Sequence, residues 1–369
     1  MGSGGQRRYD ATSRCPAPVS PCTLDPCPGS GVYSGSRSRS PSPSPPVPDS
    51  ILVGLNAVIL AVTDETPRVL TLAGRDGRAG AAEPLQAAPG LDILPYGPLD
   101  PEADRTLELT LRNWVRERTG LELGYVEQLY TFGDRNRDPA GRAGDPRVIS
   151  VAYLALVREG TPRGTERPRW RDCYRYLPWE DWREGRPELL DAEILPALEG
   201  WAGRAPTPAE ESERRARIGI TFGTGDFGWD AYRTLERYEL LFEAGLVHES
   251  RPSDDGGRDS GLGHPMGLDH RRILATALGR VRGKLRYRPV VFELVPERFT
   301  LLRLQRVVEA LVGIGLHKQN FRRLVERGGL VEGTGRLDTE TGGRPAELFR
   351  FRPEVLLERR APGLGIPGG

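Results

Sequence analysis

The stretch TLLRLQRVVEALVGIGLHKQNFRRLVERGGLVEGTGRLDTETGGRPAELFRFRP, Thr300 to Pro353, decides the reading of this chain. Thr300 is a candidate N-cap. Leu304, Val307, Val308 and Leu311 follow it at helical spacing. GIGL makes a turn, and HKQNFRRLVER (His317–Arg327) is a second helix with Phe321, Leu324 and Val325 as its apolar stripe. Gly328 and Gly329 end that helix. The rest reads as two strands around a Gly-rich loop, and PVVFELV upstream (Pro289–Val295) reads as a further strand. Strand, helix, short turn, helix and hairpin is the plan of a winged helix-turn-helix, whose second helix must fit the major groove of a duplex.

The chemistry of that second helix agrees with the plan. Opposite its apolar stripe lie Lys318, Gln319, Arg322 and Arg323, with Asn320 near the helix start. Gln and Asn pair bidentately with adenine, and Arg with guanine. Arg336 and Arg344 on the hairpin are placed to reach phosphates or a minor groove. The plain alternative is a basic surface subdomain or a protein-interaction module. Net charge is only +1 over the whole chain, but Arg271 to Arg360 holds twenty Arg and Lys against ten Asp and Glu. A basic domain on a neutral chain is an electrostatic footprint for nucleic acid. One recognition helix neutralises few phosphates, so useful affinity calls for a homodimer on a palindromic site.

Length and composition bound the remainder. A chain of 369 residues predicts more than one domain. Residues 1–49, including SGSRSRSPSPSPPVPDS, form a low-complexity tail that cannot bury a core. Ordered structure is expected from residue 50 to 286, with a helical insertion at about 187–265. The winged helix then spans 287–361, and 362–369 is a short tail. Cys15, Cys22 and Cys27 lack the CxxC knuckle and partner histidines of a zinc site, and Cys173 is isolated. Free thiols in a reducing cytoplasm are expected, with no cofactor, no metal and no membrane span.

In the front part, ILVGLNAVILAV (Ile51–Val62) is a buried strand or pair of strands, and VISVAYLALV (Val148–Val157) is another. Between them, PEADRTLELTLRNWVRERTGL reads as a helix with Leu107, Leu111 and Val115 on one face, Trp114 beside them, and Gly120 as its stop. DHRRILATALGRVRGKL is a clear helix with Asp269 as candidate N-cap.

These stretches resemble a Nudix hydrolase domain, an α/β/α sandwich whose box G-x5-E-x7-R-E-U-x-E-E-x-G-U (U apolar) holds divalent metal against a diphosphate. Aligned on Gly120 and Leu121, the box keeps Val115 and Glu117, but the other two metal positions are Trp114 and Arg118. Asn113 stands for the box arginine, and Arg105 for the earlier glutamate. One carboxylate of three is not a metal site, so loss of metal-dependent hydrolysis is expected.

With the C-terminal half, the resemblance sharpens to the Nudix-related transcriptional regulators of NAD metabolism, in particular a divergent alphaproteobacterial branch. It rests on QLYTFGDRNRDP, VISVAYLALV, DHRRILATALGRVRGKLRYRPVVFELVPERFTLLRLQ, NFRRLVERGGLVE and GGRPAELFRF. It implies a degenerate Nudix-like α/β/α sandwich followed by a small winged helix-turn-helix. It also implies a homodimeric repressor on a double-stranded DNA operator, whose front domain senses an NAD-related nucleotide such as ADP-ribose without turning it over. The candidate effector contacts are Arg137 and Asp138, which match the family's loop motif, and Arg105, Arg112 and Arg118 along the box helix. Tyr130 and Phe132 could flank an adenine, although alternating aromatics are usually core, and His270 in DHRR reads as capping or packing. Two other classes compete: an active Nudix-type hydrolase with an accessory winged-helix module, and a structural protein whose helical insertion docks a partner.

Overall fold

Alternation sets the central strand. In β1 (Ile51–Thr63), Leu55, Ala57, Ile59 and Ala61 join one apolar cluster while Val58 and Leu60 join another, because successive side chains of a strand point to opposite faces. Both faces are covered, so the strand reads as an unbroken apolar run. The computed structural model describes residues 51–74, 90–133, 147–163, 168–250, 262–338 and 345–365.

The two-residue turn Asp64–Glu65, at φ 47° and 61°, folds β1 back onto β2 (Thr66–Ala73), as a type I′ hairpin requires. The short strands β3 (Asp92–Ile93) and β4 (Tyr96–Pro98) pair with β2 and β1. Helix α1 (Leu107–Thr119) starts where Thr106 accepts from the Leu109 amide and stops at Gly120, φ 69°. It lays Leu111 and Val115 on the cluster built from the odd-numbered positions of β1. Next comes β5 (Tyr125–Phe132), antiparallel to β6 (Arg147–Leu156), which runs parallel to β1 from Ile51↔Arg147 to Leu60↔Leu156. Finally β7 (Arg169–Asp172) pairs with β2.

The opposite face is covered by elements that follow β7. A π-helical turn at Leu190–Ile194 leads into α2 (Leu195–Ala202), then α3 (Pro208–Phe222) and α4 (Thr234–Glu243). Helix α5 (His270–Leu285) crosses the sheet, and buried His270 anchors it. The Leu94 amide donates to Nδ1 at 2.9 Å, and the Asn56 side-chain amide lies 3.0 Å from Nε2. The Asn56 atom that faces Nε2 is its Nδ2, so both ring nitrogens of His270 are engaged from the sheet side. Asp269 occupies the N-cap position without its side chain capping the helix.

The winged helix comprises β8 (Phe299–Thr300), α6 (Leu301–Val312), α7 (Lys318–Gly328), β9 (Val331–Asp338), β10 (Ala346–Phe351) and the short α8 (Val355–Glu358). Its sheet runs β8–β10–β9. The strand expected at PVVFELV is instead a single 3-10 turn, Val290–Glu293, and the first strand of the wing sheet is Phe299–Thr300. Val290, Val291, Leu294 and Val295 are the buried positions, a spacing of three to four rather than two, and Pro289 and Pro296 bound the segment. Val58, Leu60 and Val69 of the sheet share one apolar cluster with Leu304, Val308 and Leu311 of α6 and with Leu198, Phe222 and Leu241 of α2, α3 and α4. Among the described residues no helix is long and apolar enough to cross a membrane.

A buried charge cluster ties these parts together. Glu180, after β7, sits between Arg237 of α4 and Arg282 of α5, all fully buried. Burial alone would raise the Glu180 carboxyl; the two guanidiniums hold it below the ordinary glutamate value. On the same C-terminal turns of α5, either side of Arg282, Lys284 and Arg280 meet Glu127 of β5. Burial would raise Glu127, but the bonds from Lys284 and Tyr125 bring it below 4.5. Burial would lower Lys284, but Glu127 and Tyr125 bring it above 10.5.

A depressed carboxylate contributes stability above its unfolded pKa and loses it as pH falls through the folded value; a raised lysine contributes below its unfolded pKa and loses it on alkalinisation. Glu127→Gln is therefore expected to cost ~1 kcal/mol or less at pH 7, the pair being partly exposed. That cost should shrink below about pH 4 and again above about pH 10.5, as followed by urea unfolding across pH.

Candidate nucleic-acid interface and sensor site

Helix α7 buries Phe321 and Val325 and leaves Lys318, Gln319, Asn320, Arg322 and Arg323 exposed. Gln319, Arg322, Arg323 and Glu326 share the outward face, three and four residues apart. The sequence reading missed Glu326, whose carboxylate accepts from the Arg322 Nε at 2.7 Å. That i,i+4 pair holds one guanidinium along the helix and leaves Arg323 as the freer cation. Arg336 is exposed on β9, next to the wing. Arg344 lies outside the described residues.

The turn before α7 is held from inside. Gln305 and Glu309, one helical turn apart on α6, are both buried. Glu309 accepts from the Leu316 amide at 2.8 Å and from the Gln305 Nε2 at 2.9 Å, while Gln305 also donates to the Leu316 carbonyl at 2.8 Å. The sequence carried a signal for this, since two polar residues at i and i+4 in LLRLQRVVEALV lie beside the apolar stripe. Behind α7, Arg352 donates to the Gly329 carbonyl and Arg359 to that of Arg327.

The box helix faces β4. Trp114 lies on that strand: a Cβ at Gly97 would overlap its Nε1 and come within 2.6 Å of its Cε2. Arg118, one turn on, stacks over the Trp114 ring at 5.0 Å and donates to the Tyr96 carbonyl at 3.5 Å. The two positions that should hold metal carboxylates thus form a cation–aromatic pair packed on β4, and Glu117 is left exposed. These donors do not fit a divalent cation: an indole has no lone pair to give, and a guanidinium repels the charge. No group of three or more His, Cys, Asp or Glu able to hold a metal exists among the described residues.

The other candidate effector residues are dispersed. Arg105 is exposed just ahead of the N-cap. Arg112 is committed, pairing with Glu108 at 2.9 Å and donating to the carbonyls of Leu123 at 2.5 Å and Gly124 at 3.1 Å, so it fastens α1 to the start of β5. Arg137 and Asp138 lie outside the described residues, on the segment joining β5 to β6. Phe132 is buried, whereas Tyr130 is 63% exposed and meets it edge-on at 5.4 Å. Cys173 is a buried free thiol whose pKa burial pushes up; Cys15, Cys22 and Cys27 lie outside the described residues.

Residues 291–351 match the family model described as the NrtR DNA-binding winged helix domain. The chain is 38% identical over 258 residues to the ADPR responsive transcriptional repressor NtrR of Acinetobacter baylyi, a match covering 70% of this chain and 68% of the relative. Among solved structures, Shewanella oneidensis NrtR complexed with a 27mer DNA aligns with 82% of this chain and 94% of its own, at 21% identity and a TM-score of 0.48. The Nudix domain of the same protein complexed with ADP ribose aligns with 33% of this chain and 73% of its own, at 24% identity and a TM-score of 0.27.

The Trp114–Gly97 contact has a direct consequence. Gly97→Ala is expected to cost about 1–3 kcal/mol by overpacking. A Trp114→Leu background should remove more than half of that cost, a coupling read from a double-mutant cycle of thermal unfolding.

Proposed function

The chain belongs to the Nudix-related family of transcriptional regulators, and from that premise we propose that it is a repressor that binds duplex DNA through α7 and is controlled by an NAD-related nucleotide such as ADP-ribose. The observation that carries the DNA half is the outward face of α7, where Gln319, Arg322 and Arg323 stand clear of the core on a helix whose entry turn is fixed by Gln305 and Glu309. Lys318, Asn320, Arg336 and Arg344 supply further phosphate or base contacts. Each winged helix reaches one half-site, so the working form on a palindrome is a homodimer. The regulated genes belong to NAD metabolism, and the protein acts in the cytoplasm.

The front domain is a receptor rather than an enzyme. Arg118 in the last turn of α1, with Arg137 and Asp138 from the β5–β6 segment, is assigned to the effector's diphosphate, where charge-assisted hydrogen bonds replace metal, and Arg105 at the other end of the helix adds positive charge. Arg112, committed to Glu108 and two carbonyls, serves the site by holding α1 in place. The domains are the receptor at 50–286, with its helical insertion, and the DNA-binding module at 287–361.

Two outcomes test this reading. Arg322→Ala with Arg323→Ala should weaken binding to the upstream region of the protein's own operon at least tenfold. It should also flatten the slope of log affinity against log salt by roughly one to two units; an unchanged affinity removes the DNA-binding assignment. With Mg²⁺ and ADP-ribose the purified protein should show no turnover above background, while ADP-ribose alone raises its melting temperature in a concentration-dependent way. Rapid hydrolysis would make the front domain an enzyme.

A further inference from the structure

The end of α6 is capped from outside the winged helix. The last carbonyls of a helix have no donor within it and need one from elsewhere. Glu309 finds the Gly313 amide. Ala310 accepts from the Tyr174 hydroxyl at 2.7 Å, and Leu311 from the Arg282 Nε at 3.1 Å. Past the cap, the Gly313 carbonyl accepts from the Trp182 amide at 2.6 Å, and Ile314 bridges to Trp182. Tyr174 and Trp182 belong to the segment that follows β7, and Arg282 belongs to α5.

Gly313 is the point of closest approach. It sits at φ 77°, and a Cβ there would overlap the Glu180 carbonyl and fall 2.7 Å from Arg282 Nη2 and 2.8 Å from the Tyr174 hydroxyl. Left-handed backbone and missing space together admit only glycine. Behind this contact stands the helical insertion. Arg282 Nη1 donates to Glu180, to the Ala231 carbonyl and to Thr234. Arg237 of α4 clasps the same carboxylate with its Nε and Nη2 and gives Nη1 to the carbonyls of Thr221 and Asp230. Its guanidinium lies 3.8 Å from the Trp229 ring centre, and that ring packs 4.2 Å from Trp182.

We propose that Tyr174, Glu180 and Arg282, braced by the helical insertion, are positioning residues for DNA recognition: they cap α6 and fix the angle at which α7 leaves it. The insertion thereby has a task, which is to hold the buried cluster closed around the turn of the helix-turn-helix. This rests on the DNA-binding reading of α7 and concerns residues that touch no DNA. A recognition helix at a wrong angle keeps its charge, so it keeps salt-dependent affinity for any duplex and loses discrimination between sequences.

The experiment uses the full chain. Wild-type protein first selects duplexes from a random-sequence library; failure to enrich any sequence would defeat the DNA-binding reading itself, separately from the positioning role. Affinity for the selected duplex and for the unselected pool is then compared in Gly313→Ala and in the milder Tyr174→Phe, with melting temperatures recorded. Gly313→Ala is expected to lower affinity for the selected duplex about tenfold and Tyr174→Phe about threefold, with affinity for the pool within twofold of wild type. If the ratio of the two affinities stays at the wild-type value in the folded variants while melting temperature drops, the cluster is structural only and the proposal is overturned. Should Gly313→Ala fail to fold, Tyr174→Phe decides alone.

Discussion

A carboxylate buried between two buried guanidiniums governs how this molecule is put together. Glu180, Arg237 and Arg282 are inaccessible to water, and ions of that kind are tolerated only when each is paired and its remaining hydrogen-bonding capacity is filled. Here it is filled by the carbonyls of Glu180, Thr221, Asp230, Ala231 and Leu311 and by the hydroxyls of Thr234 and Tyr174. Those groups come from the segment after β7, from α3 to α4 and from α6, while the guanidiniums come from α4 and α5. Removing Glu180 would leave both guanidiniums uncompensated in the interior, a loss of about 3–5 kcal/mol. The apolar cluster brings the same elements together without direction; the charge cluster sets their register.

The sequence spoke clearly where a period was long and one-sided. The α6–α7 pair, α1 with its Gly120 stop, and the two parallel central strands all follow from spacing alone, because each buries one regular stripe or a strand's two alternating faces. PVVFELV misled because two valines and a Phe–Glu–Leu–Val run fit a strand template, while its flanking prolines and the i, i+4 burial of Val290 and Leu294 favour a turn. Strands of two to four residues, such as β3, β4 and β7, carry too few positions to show a period. The candidate site was legible as residue types on a helix face. Its support was not, since Glu180 and Arg282 are 102 residues apart, and nothing local marks either as buried. Glu326 was legible in principle: it falls four residues after Arg322, on the face counted as free cation.

The two faces of the sheet carry separate work. One holds α1 and the degenerate box; the other holds α5 and α6, with α2 to α4 in the same apolar cluster. The tip of the β1–β2 hairpin reaches the second group, where the Glu65 carbonyl accepts from Arg183 at 2.5 Å and its carboxylate lies 3.5 Å from Arg306 of α6. Strand β1 therefore touches α1 along one side and ends against the helix that precedes recognition.

Two non-carboxylate residues at the three metal positions of the box, Trp114 and Arg118, agree with the receptor proposed above. An effector can bias an equilibrium only through a difference in its affinity for two states, and only while it stays intact. A divalent cation held against a diphosphate would polarise it and activate water, and so consume the signal. A guanidinium offers the same diphosphate charge and directed hydrogen bonds but has no coordination site in which to activate a nucleophile. Trp114 completes the substitution. By packing on Gly97 it fills the ground between α1 and β4 with ring carbon, so the helix keeps its place on the sheet without an ion to hold it there. In the function proposed above, the departure of Trp114 and Arg118 from the box is what would let the fold report on a nucleotide rather than cleave it.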